Sequence, residues 1–210
     1  MPPDSLLKSM PVVAILRGLV PERAAEVGQA IFAEGIRSIE VPLNSPDPFT
    51  SIRRLAELFG DRCLCGAGTV LDADDVQRTC DAGGRLIVAP NCDAAVIAAA
   101  LRLDMVMMPG IATATEAFAA IRAGALHLKL FPAATYGPRH LKALRDVLPG
   151  RVSVYPVGGV GADDVGQWLQ AGAAGFGFGS ELFRATYSLE EITQRTRRIV
   201  SACTAAHRSA

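Results

Sequence analysis

A lysine interrupts the leucine run of "LHLKLFPAATYGP", residues 126–138. Everything around Lys129 reads as a buried strand, and a charged amine is rarely buried unless it is paired or neutral. A second charge sits in a similar place: Glu40 lies within "SIEVPLN", between Ile39 and Val41. A salt bridge between the two would be one use of them. Such a pair adds little net stability over an apolar replacement, so structure alone explains it poorly. The chemical use is a nucleophilic amine beside a proton carrier. At neutral pH only about one ordinary lysine in two thousand is free amine. Burial and a nearby cation such as Arg17 would raise that fraction. A neutral amine attacks a ketone to give a Schiff base, and Glu40 could move protons at an adjacent carbon through water or the substrate.

These residues need elements to hold them. Short apolar runs begin near Val12, Ser38, Leu64, Leu86, Val106, Leu126, Val152 and Gly175, at intervals of 26, 26, 22, 20, 20, 26 and 23 residues. Between them lie alanine-rich stretches with helical spacing, such as "PERAAEVGQAIFAEG" and "TATEAFAAIRAG". The alternation predicts eight strands and intervening helices. "ADDV" at 73–76 returns at 162–165, and "AG" at 82–83 returns at 171–172, both with an offset of 89 residues. Gly35, Gly83, Gly124 and Gly172 are placed to end helices in the left-handed conformation. Pro21 and Glu22 suit a first helical turn.

The fold expected is α/β, a (β/α)8 TIM barrel, with a short helical segment ahead of it. A doubly wound open sheet is the rival; its G-x-G-x-x-G turn is absent after strand one, where "GLVPERAAEVG" stands instead. The chain of 210 residues is read as a single domain, 1–210, with the barrel at about 11–185 and a C-terminal helix at about 188–205.

Strand parity assigns faces. Leu126, Leu128 and Leu130 share the outward, helix-covered face; His127, Lys129 and Phe131 point to the axis, with His127 deeper as a polar core residue. In strand two Ile39 and Val41 point out and Glu40 points in. Arg17 and Thr69 fall near the C-terminal ends of strands one and three, where barrel active sites are built. "YPVGGVGADDV" (155–165) and "GFGFGSELF" (175–183) end strands seven and eight, the loops that commonly hold phosphate through backbone N–H groups. Gly158 and Gly159 allow close approach. Gly179 and Ser180 offer donors beside an expected helix start. Neither loop carries a Lys or Arg, which suits binding by backbone dipoles.

Other classes fit poorly. The 21 basic and 21 acidic residues cancel, and no basic stripe suggests nucleic acid. No apolar run is long enough for a membrane span, and "MPPDSLLKSM" is too short and polar for a secretory signal, so a cytoplasmic protein is expected. Cys63, Cys65, Cys80, Cys92 and Cys203 are read as reduced, packed thiols. No cluster has metal spacing, and the "ADDV" pairs read as helix starts. His140 and His207 read as surface residues, and Trp168 as packed outside the barrel.

The chain resembles the bacterial class I aldolases that split 2-keto-3-deoxy-6-phosphosugar acids into pyruvate and glyceraldehyde 3-phosphate. The resemblance runs from about Pro11 to Phe183. It is carried by "AILRG" (14–18), "IEVPLNSP" (39–46), "GAGTV" (66–70), "IVAPN" (87–91), "PGIATATEA" (109–117), "LKLFPA" (128–133), "VGGV" (157–160) and "GFGS" (177–180). It implies that Lys129 forms the Schiff base and Glu40 is the general acid/base. It implies that Arg17 and Thr69 hold the carboxylate, and that Gly158, Gly159, Gly179 and Ser180 bind phosphate. It further implies no cofactor, no metal and a homotrimer. Asn44 and Val157 stand where the gluconate type has arginine and threonine, so the phosphogalactonate type is expected, with the gluconate epimer as the alternative substrate. A sugar-phosphate isomerase or epimerase, or a non-catalytic barrel that binds a phosphometabolite, would share the phosphate loops but need no imine.

Overall fold

The computed structural model describes residues 4–208, with side chains described through 206; His207, expected at the surface, lies outside them. Strands β1 (Val12–Ile15), β2 (Ser38–Pro42), β3 (Leu64–Gly68), β4 (Leu86–Val88) and β5 (Val106–Met108) are followed by β6 (Gly110–Ile111), β7 (His127–Leu130), β8 (Ser153–Pro156) and β9 (Phe176–Phe178). Among the described residues the strands pair in parallel, in the orders β5-β4-β3-β2-β1-β9 and β6-β7-β8. β5 and β6 are two halves of the expected fifth strand. Pro109 separates them, and a proline has no N–H to give a ladder. The Pro109 carbonyl still accepts from the Lys129 N–H at 2.9 Å. A bridge from Val157 to Gly177 joins β8 to β9 and closes the ring. The eight strand positions are therefore those expected from the apolar runs.

The helices that cover the ring are α2 (Pro21–Ala33), α3 (Pro48–Phe59), α4 (Ala73–Asp81), α5 (Ala94–Arg102), α6 (Ala114–Arg122), α7 (Ala133–Arg145) and α8 (Val165–Gln170), with α1 (Asp4–Ser9) ahead and α9 (Leu189–Arg208) behind. Pro21 opens α2, and Gly35, Gly83, Gly124 and Gly172 all have positive φ where helices end. Among the described residues no helix is long and apolar enough to cross a membrane.

Strand alternation yields two cores. The outer one, between strands and helices, holds Ala14, Ile39, Leu128, Leu130 and Trp168. The inner one fills the lower barrel with Val13, Leu64, Leu86, Val88, Val106, Met108 and Tyr155. Leu6 and Leu7 of α1 pack into this inner core and stop its lower end.

Two expectations need correction. Leu126 is 45% exposed rather than covered; the strand starts one residue later, at His127, so Leu126 lies below the ladder at the rim. His140 is not a free surface residue: it is half-buried, with Nε2 at 2.6 Å from the Ala112 carbonyl and its ring against Tyr136. His127 is half-buried, 3.4 Å from the Tyr155 hydroxyl, and burial lowers its pKa. No disulfide joins the five cysteines; Cys63, Cys65 and Cys203 are buried and Cys80 and Cys92 half-buried.

Candidate active site

Lys129 is the third residue of β7, and its parity sends it to the axis. It is 5% exposed and Glu40 1%. Both line a small pocket of the barrel axis together with Val13, Ile15, Val88, Met108, Val157 and Gly177. The walls are mainly apolar, and low polarity disfavours charge on either group. Burial raises the Glu40 carboxyl to about 7, against the opposing pull of Lys129 and Arg17. Burial likewise lowers the Lys129 amine; Glu40 opposes this and Arg17 adds to it. The two groups feel each other's charge, yet Glu40 Oε2 has no hydrogen-bond partner. A carboxylate oxygen without a partner in a closed site is costly to keep unless something else uses it. The Lys129 amine lies 4.7 Å from the centroid of the Phe131 ring.

Local sequence makes room for the carboxyl. Gly68 ends β3, and a Cβ there would fall 1.7 Å from Glu40 Oε2. Thr69 follows with φ of +57°, uncommon for a β-branched residue. In that conformation its hydroxyl accepts from Arg17 at 3.2 Å. Arg17 also donates to Asn44 Oδ1, and the Gly18 N–H donates to Ser45 Oγ at 3.0 Å. The loops after β1, β2 and β3 thus hold one exposed guanidinium at the barrel mouth.

Beyond the amine pocket lies a cavity of about 480 Å³. Gly158, Gly159, Gly179 and Ser180 all line it. Gly158 and Gly159 take φ of +92° and +73°. A Cβ on Gly159 would come within 2.5 Å of Ala134. The helix start expected after Ser180 is only a turn: the Leu182 and Phe183 N–H groups both return to the Gly179 carbonyl. Ile15, Val157 and Gly177 line both this cavity and the amine pocket, so the two are contiguous. Six of the eight residues singled out in the sequence line these two pockets; Arg17 lines a further cavity that shares Ile15, Gly179 and Ser180 with the larger one, and Thr69 is tied to Arg17 through its hydroxyl.

Arg184 and Arg195 also line the larger cavity and were missed in the sequence. The first follows the β9 loop; the second comes from α9, far along the chain. Helical spacing could have exposed Arg195 only if the docking of α9 had been known. Among the described residues no group of three or more His, Cys, Asp or Glu is placed to hold a metal ion.

The KDPG and KHG aldolase family matches residues 4–199. The 2-dehydro-3-deoxy-6-phosphogalactonate aldolase of Escherichia coli K12 is 46% identical over 194 residues, spanning 92% of this chain and 94% of that protein. A solved native KDPGal structure superposes with a TM-score of 0.93 at 43% identity, covering 95% of this chain and 97% of its own. The KDPG aldolase of Legionella pneumophila, with pyruvate captured at low pH as a covalent carbinolamine intermediate, superposes at 0.82 with 27% identity over 98% of both chains. By the extent of these matches the chain belongs to the KDPG and KHG aldolase family.

Proposed function

We infer that the chain is a 2-dehydro-3-deoxy-6-phosphogalactonate aldolase acting through a Schiff base on Lys129. The observation that carries the Schiff-base reading is the buried amine, its pKa lowered, beside a buried carboxyl raised to about 7. The substrate follows from the 46% identity to the E. coli phosphogalactonate enzyme. Lys129 Nζ attacks the C2 ketone and water leaves, giving a protonated imine. Glu40 takes the C4 hydroxyl proton directly or through water. The C3–C4 bond breaks, its electrons pass to the imine nitrogen, and D-glyceraldehyde 3-phosphate departs. Glu40 returns the proton to C3 of the enamine, and hydrolysis of the imine frees pyruvate and the amine. Arg17 and Thr69 hold the carboxylate by a charge-assisted pair and a hydroxyl contact. Gly158, Gly159, Gly179 and Ser180 receive the phosphate with backbone N–H groups. The reaction uses no cofactor and no metal. The chain works as one catalytic domain in the cytoplasm, where a phosphorylated acid is retained, and assembles as a homotrimer.

The test is reductive trapping. Pyruvate with borohydride should add a reduced pyruvoyl group to Lys129, located by peptide mass. Lys129→Arg should lose the adduct and nearly all turnover, since guanidinium stays protonated. Near-normal turnover in that variant would defeat the Schiff-base mechanism. Parallel assays of the galactonate and gluconate epimers test the substrate, and activity that survives a chelator tests the metal-free reading.

A further inference from the structure

The backbone donors of the β8 and β9 loops are dipoles, whereas a phosphate monoester at neutral pH carries nearly two full negative charges. Two cations face those loops across the cavity. Arg195 projects from α9 and is held in place: its guanidinium donates to the Glu181 carbonyl at 3.2 Å and lies 4.5 Å from the Tyr187 ring centroid. Both contacts orient it without neutralising it. Arg184 borders the same cavity and also a second one that reaches Arg17. The segment between them is pinned by Arg23 of α2, which donates to the carbonyls of Ala185 at 2.8 Å and Tyr187 at 3.1 Å. Two carboxylates share this neighbourhood. Glu181 lines the cavity and lies 3.8 Å from Arg198, and Glu191, which accepts from the Ser188 N–H at 2.8 Å, also feels the charge of Arg195.

We propose that Arg195 and Arg184 are phosphate-binding residues that set the preference for phosphorylated over unphosphorylated keto acids, with the C-terminal helix forming the outer wall of the substrate site. This rests on the aldolase reading for the identity of the substrate, not for the presence of the anion site. A fork of N–H donors on a fixed plane suits a phosphate's oxygens and adds the charge that backbone dipoles lack. The carboxylate at the other end of the substrate stays with Arg17, so the two ends of the molecule are held by different cations.

The experiment compares Arg195→Ala, Arg184→Ala, Arg195→Lys and the double alanine variant with the parent. KM for the 6-phosphorylated substrate should rise about tenfold or more in each alanine variant. Arg195→Lys should recover part of the loss through its charge. The ratio of kcat/KM between phosphorylated and unphosphorylated substrate should shrink most in the double variant. Half-maximal borohydride trapping should occur at the parent's pyruvate concentration, because pyruvate has no phosphate. An unchanged KM, or an equal loss with both substrates, overturns the proposal. Calorimetry with glycerol 3-phosphate, an unreactive ester, measures the anion site without catalysis. Binding lost in the alanine variants supports the proposal even if the parent traps no pyruvate, an outcome that would defeat only the aldolase reading. Binding retained in the double variant overturns it.

Discussion

On the proposed mechanism Glu40 is the side chain whose titration the reaction should feel most directly. Its carboxyl, raised to about 7 by burial, would have to be ionised to take the C4 proton. The cleavage rate should therefore climb with pH along a limb centred near 7. Glu40→Gln should erase that limb and slow turnover by about 10²–10⁴-fold. The same shift acts on stability with the opposite sense. A carboxyl raised above its ordinary value favours the fold fully at low pH, and that contribution is lost as pH rises through about 7. Denaturant titrations at pH 8 should find Glu40→Gln more stable than the parent, while the gap narrows near pH 4. The neighbouring glycine is as exacting. Gly68→Ala would drive a methyl into the carboxylate, whose Oε2 would lie 1.7 Å from it. A displacement of about 1 Å in a reacting group can cost about 10²-fold, so kcat should fall on that scale. Circular dichroism unchanged from the parent, with full activity, would contradict this placement of Glu40.

At the scale of elements, the N-terminal helix is short but its two leucines complete the inner core. Leu7 is fully buried. Leu7→Ala should cost about 2–5 kcal/mol of unfolding free energy, the usual range for a buried leucine, read from the denaturant midpoint. The strands were legible because their core-facing residues recur every second position and glycine marks each helix end. Parity alone placed Lys129 and Glu40 inside, and the barrel's polarity placed Arg17 and Thr69 at the mouth. Leu126 misled because an apolar residue one step before a strand looks like part of it; only the register with β8, which starts at His127, shows otherwise. The break at Pro109 was similarly hidden, since "VMMPGI" reads as one apolar run. His140 and Arg195 were illegible for a different reason. Their partners, Ala112 and Glu181, are 28 and 14 residues away, and nothing local fixes which helix face meets them.

For the whole molecule, the matched family spans nearly all the described chain, and the expected assembly is a trimer. Sedimentation equilibrium should return three times the 22.1 kDa chain mass, independent of loading over the micromolar range; a monomer mass would remove the trimer from the proposal. The charge balance of the chain predicts no long-range steering of the anionic substrate by net charge. Capture should depend on the local cations at the mouth, and salt should weaken it there.

The leucine stopper on α1 also dictates traffic. With the base of the ring plugged, reagents and products should come and go at the opposite end. On the proposed chemistry the keto acid must bond to the amine before the aldehyde can be joined to it, so in the condensing direction it should enter first. In cleavage the phosphorylated fragment, freed when the carbon–carbon bond breaks, should depart before hydrolysis releases the three-carbon acid. The plug confines that traffic to the end of the barrel where the chemistry is proposed.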